Sequence, residues 1–167
     1  MKKTWGIIVL MAMVMVACKS KTTEPAMQTA SGFYESVAAL EETLSEPLLK
    51  AEAEIKARGD KGDFEGIVRS ATAMEDTVNV RIKLLNDMSP AGFGGEDFKL
   101  MVTRYFEFIK SIYTAYRKIG EAATEEDRAN AAREMQTIME GQTAVMTNLQ
   151  ASQARFAADN HFTIGGE

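Results

Sequence analysis

Side chains that could do covalent or acid–base chemistry near neutral pH are scarce in this chain. Cys18 is the one cysteine and His161 the one histidine among 167 residues. A Ser-His-Asp or Cys-His set needs a histidine beside its nucleophile, and His161 stands close to the C-terminal end. A di-iron bundle needs Glu-x-x-His on two helices, which one histidine cannot supply. Haem held by Met and His would need a methionine early in the domain, but the only one between Cys18 and residue 63 is Met27. Covalent haem attachment needs C-x-x-C-H, which is absent. Gly92-Phe93-Gly94-Gly95 lacks the Lys-Ser/Thr of a phosphate loop and follows no strand, so it reads as a connector. Glu125, Glu126 and Asp127 are acidic, but three acids at a helix start are favoured by the helix dipole alone. These residues predict no catalytic set, no metal site and no cofactor, hence no enzyme.

Cys18 reads differently once its surroundings are included. Lys2 and Lys3 precede residues 6–17 (GIIVLMAMVMVA), twelve residues without a charge. A transmembrane helix needs about 20 apolar residues, whereas a signal-peptide core runs to about 7–15. Met15-Val16-Ala17-Cys18 resembles the bacterial lipobox, with Met15 where Leu is usual. That resemblance implies a leader over 1–17 and a Cys18 that receives a diacylglyceryl group and further acyl chains such as palmitate. A lone thiol has no intramolecular disulfide partner, and more than one acyl chain suffices for stable membrane anchoring. Lys19 stands where Asp favours inner-membrane retention in Gram-negative lipoproteins, so it resembles the outer-membrane class. The expected location is the bacterial cell envelope, lipid-anchored, at the outer membrane.

Without residues 1–17 the chain has 150 residues, enough for one domain with its own core. Losing Lys2 and Lys3 takes the formal charge from −5 to −7. A mildly acidic body argues against nucleic-acid binding, which wants a clustered basic face. Lys19 and Lys21 are the expected headgroup contacts. Besides Pro25, the only prolines are Pro47 and Pro90, which favours long helices.

Residues 18–30 are polar, contain Pro25 and show no period, so they predict a flexible lipid-anchored tether. Residues 31–160 carry helical periodicity in four segments, and 161–167 form a tail. In 31–58 the stripe is Phe33, Val37, Leu40, Leu44, Leu48, Ala51 and Ile55. Pro47 predicts a kink there, or a split into two helices. In 63–87 it is Phe64, Ile67, Val68, Ala71, Met74, Val78, Ile82 and Leu85, with Asp63 or Asp60 as the N-cap. In 96–122 it is Phe98, Met101, Val102, Tyr105, Ile109, Ile112, Tyr116 and Ile119. In 125–158 Ala131, Met135, Ile138, Gln142, Val145, Leu149, Ser152 and Phe156 step four and three along one helix, capped by Thr124. Short connections between such helices predict an all-α, up-down-up-down antiparallel four-helix bundle.

Two features stand out from this packing. Gln142 and Ser152 occupy seam positions, where they would fix register by a buried hydrogen bond or line a ligand cavity. Residues 98–116 hold Phe98, Tyr105, Phe106, Phe108, Tyr113 and Tyr116, more than one stripe can bury. Phe108 or Tyr113 is therefore the candidate for an exposed contact surface.

The segments Arg104–Tyr113 (RYFEFIKSIY) and Gln153–Phe162 (QARFAADNHF) resemble a family of small all-helical bacterial surface lipoproteins of unknown function. The resemblance implies an all-α surface lipoprotein and supplies no activity or functional residue. The expected role is non-catalytic: protein interaction or envelope structure, with the membrane and an envelope protein as partners. The alternative is a carrier of a small ligand or cofactor in the bundle interior.

Overall fold

The computed structural model describes residues 29–164. The expected leader, Cys18 and residues 19–28 lie outside the described residues, as do 165–167. Of the described residues 85% are helical, and none forms a strand.

Helix α1 spans Ala30–Gly59, and Thr29 caps it by accepting the Gly32 N–H at 3.1 Å. It runs unbroken through Pro47, so the split into two helices does not occur. Helix α2 spans Phe64–Asp87. Its cap is Asp63, which accepts from Gly66 N at 2.8 Å and pairs with Arg58 at 2.8 Å. The Gly66 N–H and the Arg58 guanidinium, with Arg69 nearby, hold the Asp63 carboxyl below its ordinary range. Helix α3 spans Gly95–Glu121 and starts from Gly94 at φ 72°, a left-handed conformation natural to glycine. Helix α4 spans Glu125–Glu140, with Thr124 accepting from Asp127 N at 3.1 Å. Helix α5 spans Gln142–Asp159.

The single helix expected over 125–158 is thus corrected to two, divided at Gly141. The break is slight: Gly141 keeps a right-handed backbone (φ −76°, ψ −13°). Its N–H donates to Ile138 O at 3.0 Å, three residues back instead of four. A Cβ at Gly141 would stand only 3.3 Å from the Ile138 carbonyl oxygen, a close approach that glycine avoids.

Four helices pack together, the fourth being the α4–α5 pair. Their shared interior is aromatic at one end. Phe33 of α1, Phe98 of α3 and Phe156 of α5 meet there, with centroids 6.0 Å (Phe33–Phe98), 6.1 Å (Phe33–Phe156) and 4.8 Å (Phe98–Phe156) apart. Tyr34 stacks on Phe98 at 5.7 Å, and Phe162 closes over Phe156 at 5.7 Å. Such ring pairs add about 0.5–1.5 kcal/mol each beyond area burial. The opposite end is tied by polar groups. Glu75 of α2, buried at 9% exposure, accepts from Thr114 Oγ1 and from Arg117 Nε (3.0 Å) of α3. Ser70 of α2 donates to Glu54 of α1 at 3.1 Å.

Between α2 and α3 the backbones come close at Gly120. A Cβ there would stand 2.7 Å from Val68 Cγ2 and 2.8 Å from the Phe64 carbonyl oxygen. Helix α4 is the loosest member: no residue in it is buried. It is held to the rest by Lys118–Glu134 (2.6 Å) and by the Arg128 guanidinium 3.8 Å above the Phe64 ring.

Candidate functional site

Helix α5 ends in a Schellman motif, in which the first residue past the cap is left-handed. His161 takes that position at φ 57°, with its N–H on Ala158 O (3.3 Å) and the Phe162 N–H on Ala157 O (3.1 Å). The single histidine therefore serves a helix end, exposed, with its backbone fixed.

The cap residue of that motif, Asn160, reaches across to the loop between α2 and α3. Its Oδ1 accepts from Phe93 N at 2.8 Å, and its Nδ2 donates to Phe93 O at 2.9 Å and to Phe156 O at 2.8 Å. Gly92, at φ 82°, lets this happen. A Cβ there would stand 2.4 Å from both Ala30 Cβ and Asn160 Oδ1. The loop is also braced by Lys99, whose Nζ donates to Asn86 O (2.8 Å) and Met88 O (2.7 Å). Phe93 itself projects outward and is 76% exposed.

The residues expected to carry function are not brought together. Gln142 opens α5 beside Gly141 and Ser152 follows in its third turn; both are half-buried. Neither lines the open groove between the end of α3 and α4, formed by Lys118, Glu121, Asp127, Asn130, Ala131 and Glu134. Phe108 is half-buried on α3. Tyr113, the other of the two candidates for an exposed contact surface, is enclosed at 1% exposure. The reason is that α3 meets α2, α4 and α5 at once and touches α1 through Phe98. A helix so surrounded buries far more than one stripe, and its aromatics fill that wider face.

One polar feature of the interior escaped the sequence reading. Glu41 of α1 has its Oε1 enclosed without a hydrogen-bond partner, as does the Tyr34 hydroxyl. Burial pushes the Glu41 carboxyl up to about 7, because a desolvated carboxylate is costly. Burial, and then the charge on Glu41, push Tyr34 and Tyr105 up to about 12. Glu52 is raised by burial, and together with burial it raises Tyr113 and Tyr116. A carboxyl that changes charge near neutral pH inside a helical core is a proton-binding element. Among the described residues no three His, Cys, Asp or Glu side chains come together as a metal-binding group. The signal for Glu41 was its place in the period, four residues after Val37 and seven after Tyr34.

No protein-family model matches the chain, and neither does any curated protein or solved structure. Among the described residues no helix is long and apolar enough to cross a membrane.

Proposed function

We propose that this chain is a lipid-anchored, non-catalytic protein of the bacterial envelope, acting in protein interaction or envelope structure. The observation that carries the reading is the setting of Cys18. It is the sole cysteine, it follows twelve uncharged residues, and ten polar-rich residues, 19–28, separate it from the Thr29 cap of α1. The resemblance of two segments to small helical surface lipoproteins points the same way, and Lys19 favours the outer membrane. The body on this anchor is an up-down-up-down antiparallel bundle in which α4 and α5 together make the fourth rod. In support, the first turns of α1 and α3 and the last turn of α5 share one aromatic cluster. A filled interior, lined by Phe33, Phe98 and Tyr113 at 1% exposure or less, suits display of an outer surface better than carriage of a ligand.

The test is made in a Gram-negative host. Mass spectrometry of the N-terminal peptide should find Cys18 as the first residue, bearing acyl chains, and the protein in the membrane fraction. The Cys18→Ala variant should keep its leader and take up no labelled palmitate. An unacylated wild-type chain would overturn the anchor. Crosslinking in cells should then join the acylated protein to an envelope protein. Failure of that, together with substrate turnover by the purified protein, would overturn the non-catalytic role.

A further inference from the structure

We infer that the Phe93 loop is a membrane-contact element, set against the zwitterionic lipid surface that holds the anchor; this rests on the acylation of Cys18. Three observations converge on it. First, among the described residues Phe93 is the most exposed of the large apolar side chains at 76%, yet both its backbone N–H and its carbonyl are bound by Asn160. An exposed aromatic on a fixed backbone loses little freedom when it is covered, which favours binding. Second, two more exposed apolar residues lie on the same hairpin end. They are Leu84 (44%) in the last turn of α2 and Leu100 (49%) in the second turn of α3. Third, this end is where the chain enters the bundle, because Gly92 packs against Ala30, the first residue of α1.

The length of chain ahead of α1 then selects the occupant. Ten residues, 19–28, lie between Cys18 and Thr29. The eleven Cα–Cα steps from Cys18 to Thr29 cannot span more than about 40 Å. The loop beside Ala30 is thus held within one short span of the bilayer, and tethering converts even a weak contact into a frequent one. Glu96 and Asp97 in the first turn of α3 are exposed beside the loop, so an anionic surface would repel it. The contact is therefore apolar, with a neutral lipid interface.

The experiment uses the full acylated protein in phosphatidylcholine vesicles, plain or brominated on the acyl chains. The chain's one tryptophan, Trp5, leaves with the leader, so a Phe93→Trp variant carries a single indole. Its emission should shift to the blue and fall at least two-fold in brominated vesicles. Leu49→Trp, at an exposed site about 28 Å along α1 from Ala30 at 1.5 Å per residue, should show neither change. Replacing part of the lipid with phosphatidylglycerol should weaken the Phe93→Trp quenching. Mass spectrometry of the N-terminal peptide reads the anchor separately. An acylated chain whose Phe93→Trp emission is equal in both vesicles overturns the loop contact alone, while an unacylated chain overturns both. A blue shift that bromine does not quench, and that grows with protein concentration, assigns the loop to contact between copies and likewise overturns it.

Discussion

Glu41 is a half-buried acid whose Oε1 is enclosed without a hydrogen-bond partner. Its carboxyl ordinarily titrates near 4.5, and burial moves it to about 7. The fold therefore binds a proton that the unfolded chain gives up earlier. Below about 4.5 the group is neutral in both states and costs nothing. Between about 4.5 and about 7 the unfolded chain ionises first, so stability falls as pH rises. Above about 7 the penalty is complete, and at about 1.4 kcal/mol per pH unit it is of order 3 kcal/mol. Urea unfolding should accordingly give a lower free energy at pH 8 than at pH 5. Glu41→Gln should flatten that dependence and raise stability at pH 8. Equal wild-type stabilities at the two pH values would refute the assignment. The residue was hard to find in advance because an acid on an apolar stripe is usually read as the stripe's edge. Only the tertiary packing around α1 decides that its Oε1 is enclosed. Cys18 is the opposite case, since its meaning rests on neighbours in sequence and needs no fold.

At the scale of the elements, glycine decides where helices bend and how close they come. Gly120 sits in the last turn of α3. It is tolerated because α2 passes so near that a Cβ would meet Val68 and the Phe64 carbonyl at under 3 Å. Gly120→Ala should therefore destabilise the protein by about 1–3 kcal/mol through overpacking, seen as a lower thermal midpoint. A stabilised variant would show that the two backbones have room to part. The helix stripes, the Thr124 cap, the choice of Asp63 or Asp60 as the cap of α2 and the breaking loop at Pro90 were legible in the sequence, because each follows from local periodicity or a local hydrogen bond. The division at Gly141 was not, since the four-three seam runs through it from Ile138 to Gln142 without a missed step. Nor was the burial of Tyr113, because a sequence shows which residues share a helix face but not how many neighbours that helix has. The Phe93 clamp was equally hidden, joining residues 67 apart in the chain.

Across the whole molecule the burial is uneven. Helices α1, α2 and α3 hold most of the enclosed side chains, α5 contributes Leu149, Phe156 and Ala157, and α4 contributes none. Segments with few buried contacts open locally at low free energy. Amide hydrogen exchange should thus be fastest, among the helices, in α4 and slowest in the middle of α2 and α3. Uniform protection across all five would show that α4 is bound as firmly as the rest. The tyrosines carry a last consequence. All four, Tyr34, Tyr105, Tyr113 and Tyr116, lie on α1 or α3 with their phenols held above the ordinary value of 10. A phenol so placed keeps its proton to a higher pH than an exposed one. In alkaline solution the folded molecule should therefore absorb less as tyrosinate than the unfolded chain, which makes these four rings a built-in optical gauge of whether the bundle is closed.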